Sequence, residues 1–138
     1  MSDSMAVVDR LVTATNNHDI DAIVDCFAAE YVNETPSHPQ RSFRGRDQVR
    51  SNWTSILAGV PDITVRVIAG TVDGRSVWTE WEMSGTRRDG SRHAMAGVII
   101  FGVSEGRIAR ARFYLEPIEQ TSGDVNAAVE RAVKSSPP

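Results

Sequence analysis

The sequence predicts an α+β fold, in which helices come first and an antiparallel meander follows. Two observations carry this. Up to Gly59, apolar residues recur every three or four positions. After Pro61 they recur every second position. The 138 residues suit one domain, and no internal repeat or low-complexity stretch divides them.

Val8, Leu11, Val12 and Thr15 mark one face of a first helix, from about Ser4 to Thr15. Asn16-Asn17-His18 breaks it. Asp19 then suits an N-cap, because its carboxylate can accept from free N–H groups one turn on. Ile20, Ile23, Val24 and Phe27 make the apolar stripe of a short second helix. A third is expected from about Asp47 to Leu57, with Val49, Trp53, Ile56 and Leu57 on one face, ended by Gly59 and Pro61.

Ile63, Val65 and Val67 then alternate with Thr64, Arg66 and Ile68, as a strand should. Gly70 to Gly74 has the composition of a turn. Strands are expected from Val77 to Ser84, from His93 to Val103 and from Arg107 to Pro117. Turns at Arg87–Gly90 and Ser104–Gly106 join them. Residues 119–138 read as a short helix capped near Ser122–Asp124, carrying Val125, Ala128, Val129 and Ala132. A frayed tail from Ser135 follows.

Composition excludes several classes of function. Lys and Arg total 15 and Asp and Glu 18, so the net charge is −3 and no basic footprint for nucleic acid exists. No apolar run is long enough to span a membrane, and no cationic stretch precedes an apolar one at the N-terminus. Cys26 is the single cysteine, so no internal disulfide forms. His18, His38 and His93 are scattered, and no metal site or cofactor motif is visible. A reduced, cytoplasmic protein is expected. The strand Ala94–Phe101 is apolar on both faces. The helices can cover one, and a second subunit is the economical cover for the other, so a homodimer is expected.

Three segments together resemble the NTF2-like, or SnoaL-like, superfamily: HDIDAIVDCFAAEYVNETP (18–36), FRGRDQV (43–49) and EGRIARARFYLE (105–116). Their order and spacing cover about residues 5 to 118. The resemblance implies a cone, with a curved antiparallel sheet wrapped around three helices and a pocket inside. It also implies that the positions bearing the ketosteroid isomerase branch's base and oxygen donors are here Thr35, Leu11 and Gly97. The aspartate of the limonene epoxide hydrolase and polyketide cyclase branches falls at Phe113. None of these side chains is an acid or base near neutral pH, so neither mechanism transfers.

Strand parity supplies the cavity lining. It puts Val77, Thr79, Trp81 and Met83 inward on one strand, His93, Met95 and Ile99 on the next, and Ala111, Phe113 and Leu115 on the last. Asn33 and Thr35 share a face of the first strand, and Trp53 looks in from the third helix. Asn33, Thr35, Trp53, Trp81, Met83, Met95, Phe113 and Leu115 are the expected ligand contacts, and His93 is the candidate acid–base group. A bulge or register shift would instead turn Glu34, Glu80, Glu82 or Glu116 inward. Arg110, Arg112, Glu80, Glu82 and Glu116 otherwise make an outer face around Trp78, Val98, Ile100 and Tyr114, suited to a dimer contact, and Glu34 is otherwise a solvated carboxylate. The expected function is binding of a small hydrophobic or aromatic molecule, either as a cofactor-free isomerase, cyclase or hydratase or as a non-catalytic ligand-binding or dimerisation domain.

Overall fold

The computed structural model describes residues 4–120 and 123–134. Helices α1 (Ser4–Asn16), α2 (Ile20–Asp25) and α3 (Arg46–Gly59) precede four long strands, β3 (Thr64–Asp73), β4 (Ser76–Thr86), β5 (Arg92–Ser104) and β6 (Arg107–Pro117). Strand β1 (Phe27–Glu34), a single 3-10 turn at Pro39–Arg41 and the two-residue strand β2 (Phe43–Arg44) lie between α2 and α3. A last helix, α4 (Val125–Val133), is capped by Asp124, whose carboxylate accepts from the Ala127 N–H. The expected frayed tail from Ser135, and Ser122 of the expected cap, lie outside the described residues.

The six strands form one curved, unclosed sheet in the order β2-β1-β6-β5-β4-β3. All neighbours are antiparallel except β1 and β6, which run parallel, so the sheet is mixed rather than wholly antiparallel. The expected inward parity is present. Val77, Thr79, Trp81 and Met83 of β4 are buried, as are Ile99 and Phe101 of β5 and Ala111 of β6. They join Val7, Val8 and Leu11 of α1, Ile23 of α2 and Val49 of α3 in one core.

Two boundaries differ from expectation. Phe27 does not continue the stripe of α2. The helix closes on Cys26, and Phe27 opens β1, where it pairs with Ile108. Here a long-range strand partner overrides local helical periodicity. Gly70 does not begin a turn either. β3 runs through it to Asp73, and Gly70 pairs with Thr79. A Cβ at Gly70 would lie 2.9 Å from Met5 Cε, so glycine serves close packing of α1 on β3 rather than a bend.

Polar side chains hold the helices on the sheet. Asn16 imitates a strand residue: its Nδ2 donates to the Val65 carbonyl at 3.0 Å, and its Oδ1 accepts from the Val65 N–H at 2.8 Å. Both groups of β3 at that position are thereby satisfied inside the fold. Gly97 fixes the approach of β5 to β6. Its φ is +152°, and a Cβ there would fall 2.0 Å from the Tyr114 carbonyl oxygen.

Candidate functional site

The concave side of the sheet and helix α3 enclose a cavity of about 310 Å³. That lies at the small end of the range for small-molecule sites. Its wall is apolar: Trp53 and Ile56 from α3, Met83 from β4, Met95 from β5, and Phe113 and Leu115 from β6. Phe27 and Tyr31 from β1 and Phe43 from β2 complete it. The Tyr31 ring meets Phe27 edge-on at 4.7 Å and Phe43 at 5.9 Å between ring centres.

Eight of the nine residues singled out from the sequence lie around this cavity: Asn33, Thr35, Trp53, Met83, His93, Met95, Phe113 and Leu115. Trp81 is deeper. It borders a narrow extension of about 40 Å³, with Leu11, Ile99 and Phe101, that shares Phe27, Trp53, Met83, Phe113 and Leu115 with the main cavity. The Trp81 indole N–H donates to Thr79 Oγ1 at 2.6 Å, and the Thr79 hydroxyl donates to the Ile99 carbonyl at 2.7 Å. This chain satisfies the polar atoms beneath the floor and locks the ring.

One polar group is built into the wall. The buried Tyr31 hydroxyl donates to Asn33 Oδ1 at 2.8 Å, and Asn33 Nδ2 donates to Thr35 Oγ1 at 3.3 Å. Burial pushes the Tyr31 phenol well above its ordinary value, so it stays protonated and acts as a donor. The order of donation leaves the Thr35 hydroxyl proton available to an acceptor in the cavity. Thr35 sits one residue beyond the end of β1, where its N–H donates to Ser42 Oγ at 3.2 Å instead of to a strand neighbour.

His93 stands at the start of β5, half-buried. Burial, and secondarily the Arg87 guanidinium, hold its pKa below the ordinary 6.5. The ring is therefore neutral at pH 7 and can accept a proton.

No carboxylate lines the cavity among the described residues. The four glutamates left open by the sequence all lie on the outer side. Glu34 pairs with Arg110 at 3.0 Å, and Glu82 accepts from Arg66 Nε at 2.7 Å. Glu116 meets His38 Nε2 at 2.6 Å, and Glu80 is exposed. The register shift in β3 falls between Val67 and Ala69, and that between β5 and β6 lies beside Gly102 and Val103, where β6 carries the extra residue Ala109. Neither re-aims β4 between Val77 and Met83. Phe113 places an aromatic ring in the cavity at the position where the resemblance puts an aspartate.

Sequence reasoning passed over Tyr31, Arg41, Phe43 and Asn52, all of which line the cavity. Tyr31 had a usable signal, since its odd numbering matches Asn33 along β1. Asn52 had one too, since it lies three residues after Val49 and four before Ile56 on the same face of α3, whereas Arg41, in the 3-10 turn, had none. Among the described residues, no three His, Cys, Asp or Glu side chains are grouped as metal ligands, and no helix is long and apolar enough to cross a membrane.

Comparison with solved structures agrees with this architecture. An epoxide hydrolase of the LEH-like type from M. tuberculosis superposes with a TM-score of 0.72, at 21% identity, covering 83% of each chain. SalBIII, an epoxide hydrolase/cyclase-like enzyme in pyran ring formation of the polyether salinomycin, gives 0.72 at 22% identity, over 82% of this chain and 90% of that one. A protein of Catenulispora acidiphila with a ketosteroid isomerase-like fold, solved with trimethylamine, gives 0.69 at 16% identity, over 78% and 84%. At these identities the likeness concerns the fold alone. No curated protein matches the chain. Residues 8–111 match the SnoaL-like domain, and the chain belongs to that family.

Proposed function

We propose that this protein binds a small apolar or aromatic molecule in its cavity and catalyses a cofactor-free proton transfer on it, as an isomerase, cyclase or hydratase. The observation that carries this reading is a cavity of about 310 Å³ whose apolar walls hold one neutral imidazole and one oriented hydroxyl. His93 is the base and proton shuttle. Thr35, held by Asn33 and Tyr31, orients a substrate oxygen. Trp53, Trp81, Met83, Met95, Phe113 and Leu115 exclude water and hold the apolar body.

A second reading is a non-catalytic ligand-binding domain. It is favoured by the lack of any cavity-facing carboxylate among the described residues. In either case two copies pair through the outer face, where Trp78 and Tyr114 stand 48% and 36% exposed among charged residues. The net charge of −3 supports neither nucleic acid nor an anionic membrane as partner, and a cytoplasmic setting suits the single buried thiol of Cys26.

Binding is tested by calorimetry with 2-naphthamide, a neutral bicyclic aromatic. The wild type binds it, and Leu115→Trp, which fills the cavity, abolishes binding while melting within a few degrees of the wild type. Equal binding by both proteins, or none by the wild type, overturns the reading. For any substrate subsequently turned over, His93→Ala removes turnover and preserves affinity; unchanged turnover leaves only the non-catalytic reading.

A further inference from the structure

We infer that the molecule taken by the cavity carries a carboxylate, and that Arg41 and Asn52 receive it at the cavity mouth. The inference rests on the cavity being the ligand site and specifies what enters it.

The polar lining presents donors. Asn33 Oδ1 is occupied by the Tyr31 hydroxyl at 2.8 Å, and Asn52 Oδ1 by Gln48 Nε2 at 2.8 Å. Both amides are thereby fixed with their carbonyl oxygens engaged. Asn52 lines the cavity and its NH₂ is left with no partner among the described residues, and the Thr35 hydroxyl adds a third donor. Apart from the neutral ring of His93, the wall offers N–H and O–H groups rather than free acceptors, which favours a ligand rich in acceptor oxygens.

Arg41 supplies the charge. It is the one formally charged side chain lining the cavity at neutral pH among the described residues. No carboxylate or carbonyl among those residues engages its guanidinium, whereas Arg50, Arg66, Arg107 and Arg110 each hold an acid. Its backbone is held in place. The Arg41 N–H donates to the His38 carbonyl at 2.9 Å, Ser42 closes the 3-10 turn onto Pro39 at 3.1 Å, and the His38 ring is tied to Glu116. An anchored backbone keeps the guanidinium at the mouth and reduces the ordering cost of binding. Its planar fork matches two carboxylate oxygens, and exposure makes its desolvation cheap. At the far side of His93, Arg87 adds positive potential of the same sense. The whole protein carries −3, so attraction for an anion must come from this local arrangement rather than from net charge.

The test compares 2-naphthoate with 2-naphthamide, which share a ring system and differ by one charge. For the wild type, calorimetry at low salt is expected to give at least a tenfold tighter Kd for the carboxylate. In Arg41→Gln the naphthoate falls to within about twofold of the amide, because the carboxylate loses far more affinity than the amide does. Asn52→Leu weakens naphthoate several-fold more than it weakens the amide. Equal affinities in the wild type, or an advantage that survives Arg41→Gln, overturn the inference. If the amide binds and Leu115→Trp abolishes it, but naphthoate has no advantage, the inference fails and the proposed ligand site stands. If neither compound binds, both fail.

Discussion

Tyr31→Phe is the most informative single change, because it removes one atom from a chain of three residues. Tyr31 is 1% exposed and Asn33 6% exposed, so water does not replace what is lost without entering the cavity wall. The lost hydrogen bond is worth about 1 kcal/mol net, and the orphaned Asn33 Oδ1 adds about 1 kcal/mol more. The total of about 2 kcal/mol should lower the melting temperature by about 5–8 °C in a domain of this length. Asn33→Leu should cost a similar amount, since it orphans the Tyr31 hydroxyl instead. The double variant leaves neither group unpaired, so its cost should fall short of the sum by about 1–2 kcal/mol. Urea unfolding monitored by far-UV circular dichroism gives all three values, with the m-value checking that the unfolded state is unchanged. A loss below about 0.5 kcal/mol for Tyr31→Phe, or strict additivity in the double variant, refutes the coupled chain, and with it the view that Thr35 is held as an oriented donor.

Other consequences are as direct. Gly97→Ala forces a Cβ to within 2.0 Å of the Tyr114 oxygen at a φ of +152°, and should destabilise by about 2–4 kcal/mol. A thermal melt within 2 °C of the wild type would contradict that geometry. His93 has a depressed pKa in the folded state, so the unfolded state takes up its proton first. Its contribution to stability is complete above the ordinary value of 6.5 and is lost as pH falls through the window just below it. Urea titrations from pH 7.5 to 5 should therefore show a downward slope that is shallower in His93→Gln; identical slopes would exclude the effect. Light scattering at micromolar concentration should give about twice the 15.1 kDa of one chain, and Trp78→Glu should shift the mass toward one chain. A wild-type mass near 15 kDa would sink the dimer.

Much of the cavity was legible because β4, β5 and β6 keep strict parity where they form its wall. Alternation along Val77–Met83 already assigns Trp81 and Met83 to one side and Glu80 and Glu82 to the other. The register shifts fall elsewhere, so nothing inverts that assignment. The first strand was harder to delimit. Phe27 lies three and four residues beyond Val24 and Ile23, which is good helical spacing, and only its pairing with Ile108, far along the chain, makes it a strand residue. Gly70 resembled a turn for the same reason in reverse: the need for a bare backbone against Met5 is not visible locally.

The division between what was readable and what was not has chemical content. Periodic elements supply the apolar walls, and periodicity reveals them. The groups proposed to distinguish one ligand from another are Thr35, just past a strand end, Arg41, in a 3-10 turn, and Asn52, held by a hydrogen bond within α3. Thr35 and Arg41 lie outside any repeat, and Asn52, though on the apolar face of α3, is polar, so no apolar pattern announces them. A SnoaL-like chain can therefore keep apolar walls with no carboxylate around its cavity, as this one does among the described residues. On the proposed reading, selectivity rests on the donors of Asn33, Thr35 and Asn52 and on one guanidinium, and it should change with substitutions in the 33–52 segment far more than with changes in the long strands.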